Sequence, residues 1–352
     1  MKTMLDYINK EKEINNNIME NKDLFNPLSE LKSKKYRDVV IYATGSSANA
    51  AQSAYIFMQK VLQIPVYIKE PSIAMNYERQ WSSETLYLAI SQGGRSYSTI
   101  ELVKYLQSNG IQIFVLTSDL DSPIAKTGQD VIDLGMGIED MPYVTAGYTA
   151  TILVLWLLAL EIEYKYGTMS RKTYEHYHEE IKKVINLADQ VIGTTDEWYK
   201  KNKYELINKE RFVFIGYGAS YGVAKEAETK FTEILHLPAH GHELEEYMHG
   251  PYLGLQKEDA LFLIDTDGKL SERMVLLRKF LNKHMKKTYL ATNGNKGNKN
   301  DLVFDFSINE DLSPLIMTIP FHLISFYISQ KKGTDLTKSY YPDFDKITGS
   351  KV

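Results

Sequence analysis

The sequence predicts an α/β protein made of two similar units, each a parallel sheet covered by helices on both faces. Three observations predict this. Short apolar, β-branched runs alternate with helical stretches, the grammar of βαβ units and a parallel sheet. The same order restarts near residue 212 after a long charged helical stretch. In each half a turn glycine, Gly45 or Gly218, precedes the end of the next long strand, Ser91 or Asp265, by 46 and 47 residues, so the halves read as duplicated units.

The elements follow in order. Residues 1–34 form an N-terminal helical segment, with Met4, Leu5, Ile8 and Ile14 spaced as one amphipathic first helix. The first unit is expected over 35–166. It opens with the strand DVVIY (38–42), the turn Ala43–Ser47 and an Ala-rich helix. IPVYIKE, LYLAI, a helix over about 98–107 and IQIFVLT come next. The apolar run Thr151 to Ile162 is too short for a bilayer, and Glu161 and Glu163 close it, so it reads as a buried helix. The second unit is expected over 167–330 and a C-terminal tail over 331–352.

Composition narrows the function classes. Hydrophobic residues make up 43% and charged residues 24% of 352 residues, enough for two packed cores. A formal net charge of -4 offers no broad attraction to nucleic acid or an anionic membrane, and neither is expected as a partner. With no cysteine there is no disulfide framework, thiolate metal site or cysteine nucleophile. The N-terminus lacks the apolar stretch of a secretory signal. A cytoplasmic location is the expectation.

Two segments carry chemistry. Ser91-Gln92-Gly93-Gly94-Arg95-Ser96 lies where a buried strand ends and a helix starts. Ser91, Ser96 and Ser98 offer hydroxyls, the glycines let backbone approach, and the helix N-terminus presents N–H groups, which together suit a phosphate monoester. Arg95 reads either as a bidentate phosphate contact or as a solvated loop residue. The equivalent loop of the second half, Asp265-Thr266-Asp267-Gly268, carries carboxylates that repel phosphate, so one phosphate site per chain is expected.

In the second segment Glu226, Lys230 and Glu233 stand at i, i+4 and i+7 on one helix face, as a surface charge ladder would. Four of eight histidines (His236, His240, His242, His249) follow within fourteen residues, ending in the turn His249-Gly250-Pro251. Pro238 breaks the helical spacing of His236 and His240, so no metal is expected. A carboxylate and an imidazole near one sugar suit proton transfer between C1 and C2 of a ketose or its amino adduct, with Glu233 and His249 in those roles.

Over nearly its whole length the chain resembles the double-SIS sugar isomerases, which include the isomerase half of glucosamine-6-phosphate synthase and the fructoselysine-type 6-phosphate deglycases. The matching residues are the GSSAN turn (Gly45 to Asn49), the SQGGRS loop (Ser91 to Ser96), the E-A-x-x-K-x-x-E helix (Glu226, Lys230, Glu233) and His249-Gly250-Pro251. The resemblance implies two tandem SIS domains of flavodoxin-like, three-layer α/β/α form. It implies that Ser46, Ser47, Ser91, Gln92, Gly93, Ser96 and Glu226 hold phosphate and sugar oxygens. Glu233 then shuttles the C1–C2 proton, Lys230 supports it, and His249 of a neighbouring subunit in a homodimer assists ring opening. A tail lysine, Lys351 or else Lys346, lies near the carbonyl. No cofactor is implied.

The chain departs from that pattern at three places. Gly93 and Arg95 replace a hydroxyl and an acid, and residues 139–149 carry Pro142 and Tyr143 where the synthase has small residues and a lysine, which implies a different substrate. The synthase's glutaminase part is absent from these 352 residues. Isomerase, deglycase and deaminase versions all remain open, and the competing class is a sugar-phosphate-binding regulator.

Overall fold

The computed structural model describes residues 2–31, 36–78, 80–294 and 296–352. The expected start of the first unit, at residue 35, lies outside the described residues. The chain forms two compact units. One comprises Glu13–Lys182 and Thr337–Val352, the other Lys2–Lys12 and Lys183–Leu336.

The first unit contains a five-stranded, all-parallel sheet of order β2-β1-β3-β4-β5. Its strands are β1 (Asp38–Tyr42), β2 (Val66–Lys69), β3 (Thr85–Ile90), β4 (Ile113–Thr117) and β5 (Asp130–Asp133). Every residue of β3 and β4 is buried, because helices cover both faces of a parallel sheet and its central strands become continuous apolar runs. On one face the Gly45–Leu62 helix packs against the Ala146–Tyr166 helix. Ala50, Ala51 and Ala54 are buried along the first helix, and Ser53 Oγ lies 2.7 Å from the Tyr148 hydroxyl. Among the described residues Ala146–Tyr166 alone is long and apolar enough to cross a membrane, and 83% of its most apolar window is buried in the protein.

The second unit repeats the plan as β10-β9-β8-β6-β7, again all parallel. Its strands are β6 (Phe212–Gly216), β7 (Ala239–Glu243), β8 (Ala260–Asp265), β9 (Thr288–Thr292) and β10 (Leu302–Val303). The repeat extends to fine detail. The helix after β1 closes at Gln63 and the helix after β6, Ser220–Leu235, closes at His236, both caps in the left-handed conformation (φ 54° and 55°). Two residues on, Pro65 and Pro238 each accept a hydrogen bond from the neighbouring strand, from Val39 N–H and Phe212 N–H. The turn glycines Gly45 and Gly218 share a positive φ of 56° and 54°, a conformation that costs a side-chain-bearing residue about 1 kcal/mol or more.

Two expectations are corrected. The N-terminal segment is two helices, Met4–Ile8 and Glu11–Glu20, rather than one. The shorter packs in the second unit against the Ile319–Lys332 helix. The His-rich segment also holds a strand: β7, reading AHGHE, carries His240 and His242. As an edge strand it is only half covered, so its polar composition hides it from a hydrophobic pattern.

Candidate active site

In the first unit the chain leaves β1 toward β2 on one side, while β3 pairs on the other. Loops after β1 and β3 therefore open side by side at the carboxyl ends of the strands, the switch point where α/β sheets bind ligands. The β1 loop brings Ser46 and Ser47, both half-buried, into the first turn of an 18-residue helix. Its N-cap, Thr44, makes no side-chain capping bond, and a helix N-terminus is the kind of place that suits an anion.

The β3 loop is fixed from beneath. Gln92 carbonyl oxygen accepts from Ser118 N–H (2.9 Å), Ser118 Oγ (2.9 Å) and Thr117 Oγ1 (3.1 Å). Gly94 N–H donates to Ser91 O at 2.9 Å, and Ser96 N–H reaches Ser91 Oγ at 3.4 Å. Gly94 has φ +68°, and a Cβ there would stand 2.0 Å from Ser122 Oγ. Gly93 faces open space, with no heavy atom within 4 Å of a Cβ. The Gln92 side chain lies on Gly147, where a Cβ would meet its Nε2 at 2.7 Å. Buried Glu139 sets this part of the wall: its carboxylate accepts from Thr145 N–H at 2.9 Å, Thr145 Oγ1 and Gly147 N–H at 3.0 Å, capping the long Ala146–Tyr166 helix.

The tail docks on the same loop. Lys351 forms an antiparallel bridge with Ser96. Tyr97 N–H donates to Ser350 O at 3.2 Å, and Val352 N–H to Arg95 O at 3.0 Å. Arg95 Nη1 donates to Val352 O at 3.3 Å, so in this conformation the guanidinium reads the tail backbone. Lys351 Nζ pairs with Asp345 at 3.2 Å, and Lys346 is exposed on the short Phe344–Thr348 helix. The first unit thus gathers Ser91, Gln92, Gly93, Ser96 and Lys351 on one loop and its strap.

The corresponding loop in the second unit is filled internally. Asp265 accepts from the Tyr217 hydroxyl and from Ser271 Oγ, both at 2.6 Å, while Tyr217 Oη accepts from Gly268 N–H at 2.9 Å. Lys296 pairs with Asp267 at 3.0 Å. A phenol and a carboxylate thus accept from the loop's own N–H groups, Gly268 N–H and Asp267 N–H. Burial and Asp265 push the Tyr217 hydroxyl pKa strongly upward, so it stays a protonated link.

On the Ser220–Leu235 helix the i, i+4, i+7 face turns inward rather than to solvent. Lys230 is buried, its Nζ 2.8 Å from Glu233 Oε2 and 3.5 Å from Glu226 Oε1. Only Glu233, at 41% side-chain exposure, reaches solvent. Glu226, expected at the sugar, has no exposed surface and is enclosed by Lys230 and by His322, whose Nε2 lies 3.6 Å away. Direct substrate contact is therefore not what its position offers. His322 Nδ1 lies 3.9 Å from Glu11 Oε1. Sequence reading missed His322 and Glu11; a lone histidine in the apolar run PLIMTIPFHLISFYI was the available signal. His249 is exposed and ends the Leu244–Met248 helix, with Gly250 at φ 145° turning the chain into Pro251. His236, as a helix cap, and His240, on β7, share no helix face.

Comparison with known proteins returns one family pattern, described as the SIS domain, over residues 31–161 and 205–327. Glutamine-fructose-6-phosphate aminotransferase (isomerizing) from Clostridium tetani is 24% identical over 315 residues, covering 88% of this chain and 52% of that protein. The chain spans about half the length of the curated relatives it matches. A candidate phosphosugar isomerase from Clostridium difficile 630 superposes with a TM-score of 0.93 at 25% identity, covering 100% of this chain and 99% of the other. The C-terminal domain of glucosamine-fructose-6-phosphate aminotransferase from Francisella tularensis gives a TM-score of 0.86 at 21% identity, covering 95% and 97%, a likeness of fold.

Proposed function

The chain belongs to the SIS domain family, and from that premise we propose that it is a phosphosugar isomerase or deglycase acting on an amino-substituted ketose 6-phosphate. Ser46, Ser47, Ser91, Gln92, the Gly93 backbone and Ser96 hold the phosphate and nearby oxygens through hydroxyls and helix N-termini. Glu233 is the acid–base group. It removes the C1 proton of the ketosamine, and the electron pair moves through an enaminol as C2 takes a proton. The C1=N bond so formed is hydrolysed by water, which releases the amine and leaves an aldose phosphate. In the isomerase version the same transfer acts on a free sugar. His249 of a neighbouring subunit serves ring opening, and Lys351 or Lys346 of the tail stands near the carbonyl.

One observation carries the reading: a solvent-facing carboxylate, Glu233, sits 2.8 Å from the buried Lys230 ammonium, on a helix face whose other charges are buried. The sequence likeness to glutamine-fructose-6-phosphate aminotransferases supports the substrate class. The test is incubation with fructosamine 6-phosphates, amino sugar phosphates and hexose 6-phosphates in heavy water. Deuterium at C1 or C2 is expected, with free amine from the amino substrates, and Glu233→Gln is expected to abolish both. Binding of a sugar phosphate without any exchange would leave a binding protein instead.

A further inference from the structure

Glu233 and Lys230 are the outer end of a longer row of charge whose inner members the proposed chemistry does not use. From the interior outward it runs Glu11, His322, Glu226, Lys230, Glu233, with separations of 3.9, 3.6, 3.5 and 2.8 Å. The first four are buried, at no more than 1% exposure. They come from three places in the second unit: the N-terminal segment (Glu11), the Ile319–Lys332 helix (His322) and the Ser220–Leu235 helix (Glu226, Lys230). The Ala188–Ile207 helix also packs on the Ile319–Lys332 helix, and there Asp196 bonds Tyr327 rather than His322.

Each ring nitrogen of His322 faces a carboxylate. A neutral imidazole carries a lone pair on one nitrogen, which would point at carboxylate oxygens; only the imidazolium offers a donor to both sides. Burial opposes that charge, while Glu11 and Glu226 favour it, and the balance raises the His322 pKa above its ordinary value. Signs then alternate along the whole row, leaving two buried anions matched by two buried cations. A charge in a dry helical layer is weakly screened, so a change at one end is felt at the other.

We infer that His322 and Glu11 are positioning residues for the acid–base carboxylate: through Glu226 they hold the Lys230 ammonium on Glu233 and so set the proton affinity of Glu233 from inside the helical layer. The inference rests on the acid–base reading of Glu233. A merely structural role and a charge role make different predictions, because the two residues carry opposite signs.

The test uses the intact chain, 13C-labelled at glutamate carboxyls and 15N-labelled at histidine, with the Glu233 signal assigned by its loss in Glu233→Gln. His322→Gln removes a cation and is expected to raise the Glu233 titration midpoint. Glu11→Gln removes an anion and is expected to lower it. Shifts on the order of half a pH unit are expected, and the double variant should fall back toward the parent value. Shifts of one sign in both variants, or none, would overturn the inference. So would neutral His322 nitrogens at pH 7 in the unsubstituted chain, a measurement that needs no variant to fold. Opposed shifts in a protein that turns over no sugar phosphate would keep the charge row and remove the proposed reaction.

Discussion

Adjacent glycines in the SQGGRS loop should respond to substitution in opposite ways. At Gly94 a methyl group meets two costs. Its backbone is left-handed (φ +68°), which costs alanine about 1–2 kcal/mol. Its Cβ would lie 2.0 Å from Ser122 Oγ and 2.3 Å from Ser122 Cβ. Rotating the serine cannot relieve the second contact, and Ser122 is buried at the start of the Pro123–Thr127 helix. Overpacking of this kind costs about 1–3 kcal/mol. Gly94→Ala should therefore destabilise the first unit by about 2–5 kcal/mol, lowering its Tm by about 5–15 °C. Gly93 has neither a positive φ nor any neighbour within 4 Å, so Gly93→Ser should stay within about 0.5 kcal/mol of the parent. Its added hydroxyl, on the loop proposed to hold phosphate, should strengthen phosphate binding by about 1 kcal/mol, roughly fivefold in Kd. Thermal melts with and without a hexose 6-phosphate read both effects, since a ligand bound only by the folded state raises Tm. Equal destabilisation by the two substitutions, or none from Gly94→Ala, would refute the loop geometry.

Other outcomes follow from the same structure. Lys230→Met strands Glu226 without its ammonium and should cost about 3–5 kcal/mol in urea unfolding. Tyr217→Phe deletes the hydroxyl that joins Asp265 to Gly268; about 1–3 kcal/mol of stability should go while sugar-phosphate affinity, measured by calorimetry, stays unchanged. Gly147→Ala should displace the Gln92 side chain, whose flexible end can yield, so KM should rise several-fold with little change in Tm. Because the folded pKa of His322 lies above its ordinary value of 6.5, its stabilisation should be complete below about pH 6.5 and fade as pH rises through the folded value. Unfolding free energies measured across that range should show this slope in the parent and lose it in His322→Gln.

How much was legible in the sequence varies with the kind of residue. Strands β1, β3, β4, β6 and β8 announce themselves as apolar runs because both of their faces are covered. Polar β7 does not, since an edge strand needs no such run. Ser91 to Ser96 read as a cradle because the chemistry is local: a strand end, two glycines and a helix start within six residues. Arg95 read ambiguously, and its partner, Val352, stands 257 residues away.

The sequence alone determined the duplicated α/β plan, the GSSAN and SQGGRS loops at strand ends and the face that carries Glu226, Lys230 and Glu233, because helical and strand periodicity are short-range properties of the chain. Only the tertiary structure decided which charges on that face are buried. Whether a Glu–Lys–Glu spacing is a solvated ladder or an ion row depends on what packs over it, and here Glu11 and His322 arrive from opposite ends of the chain. Burial multiplies the strength of each interaction and is set by long-range packing, which no local spacing encodes.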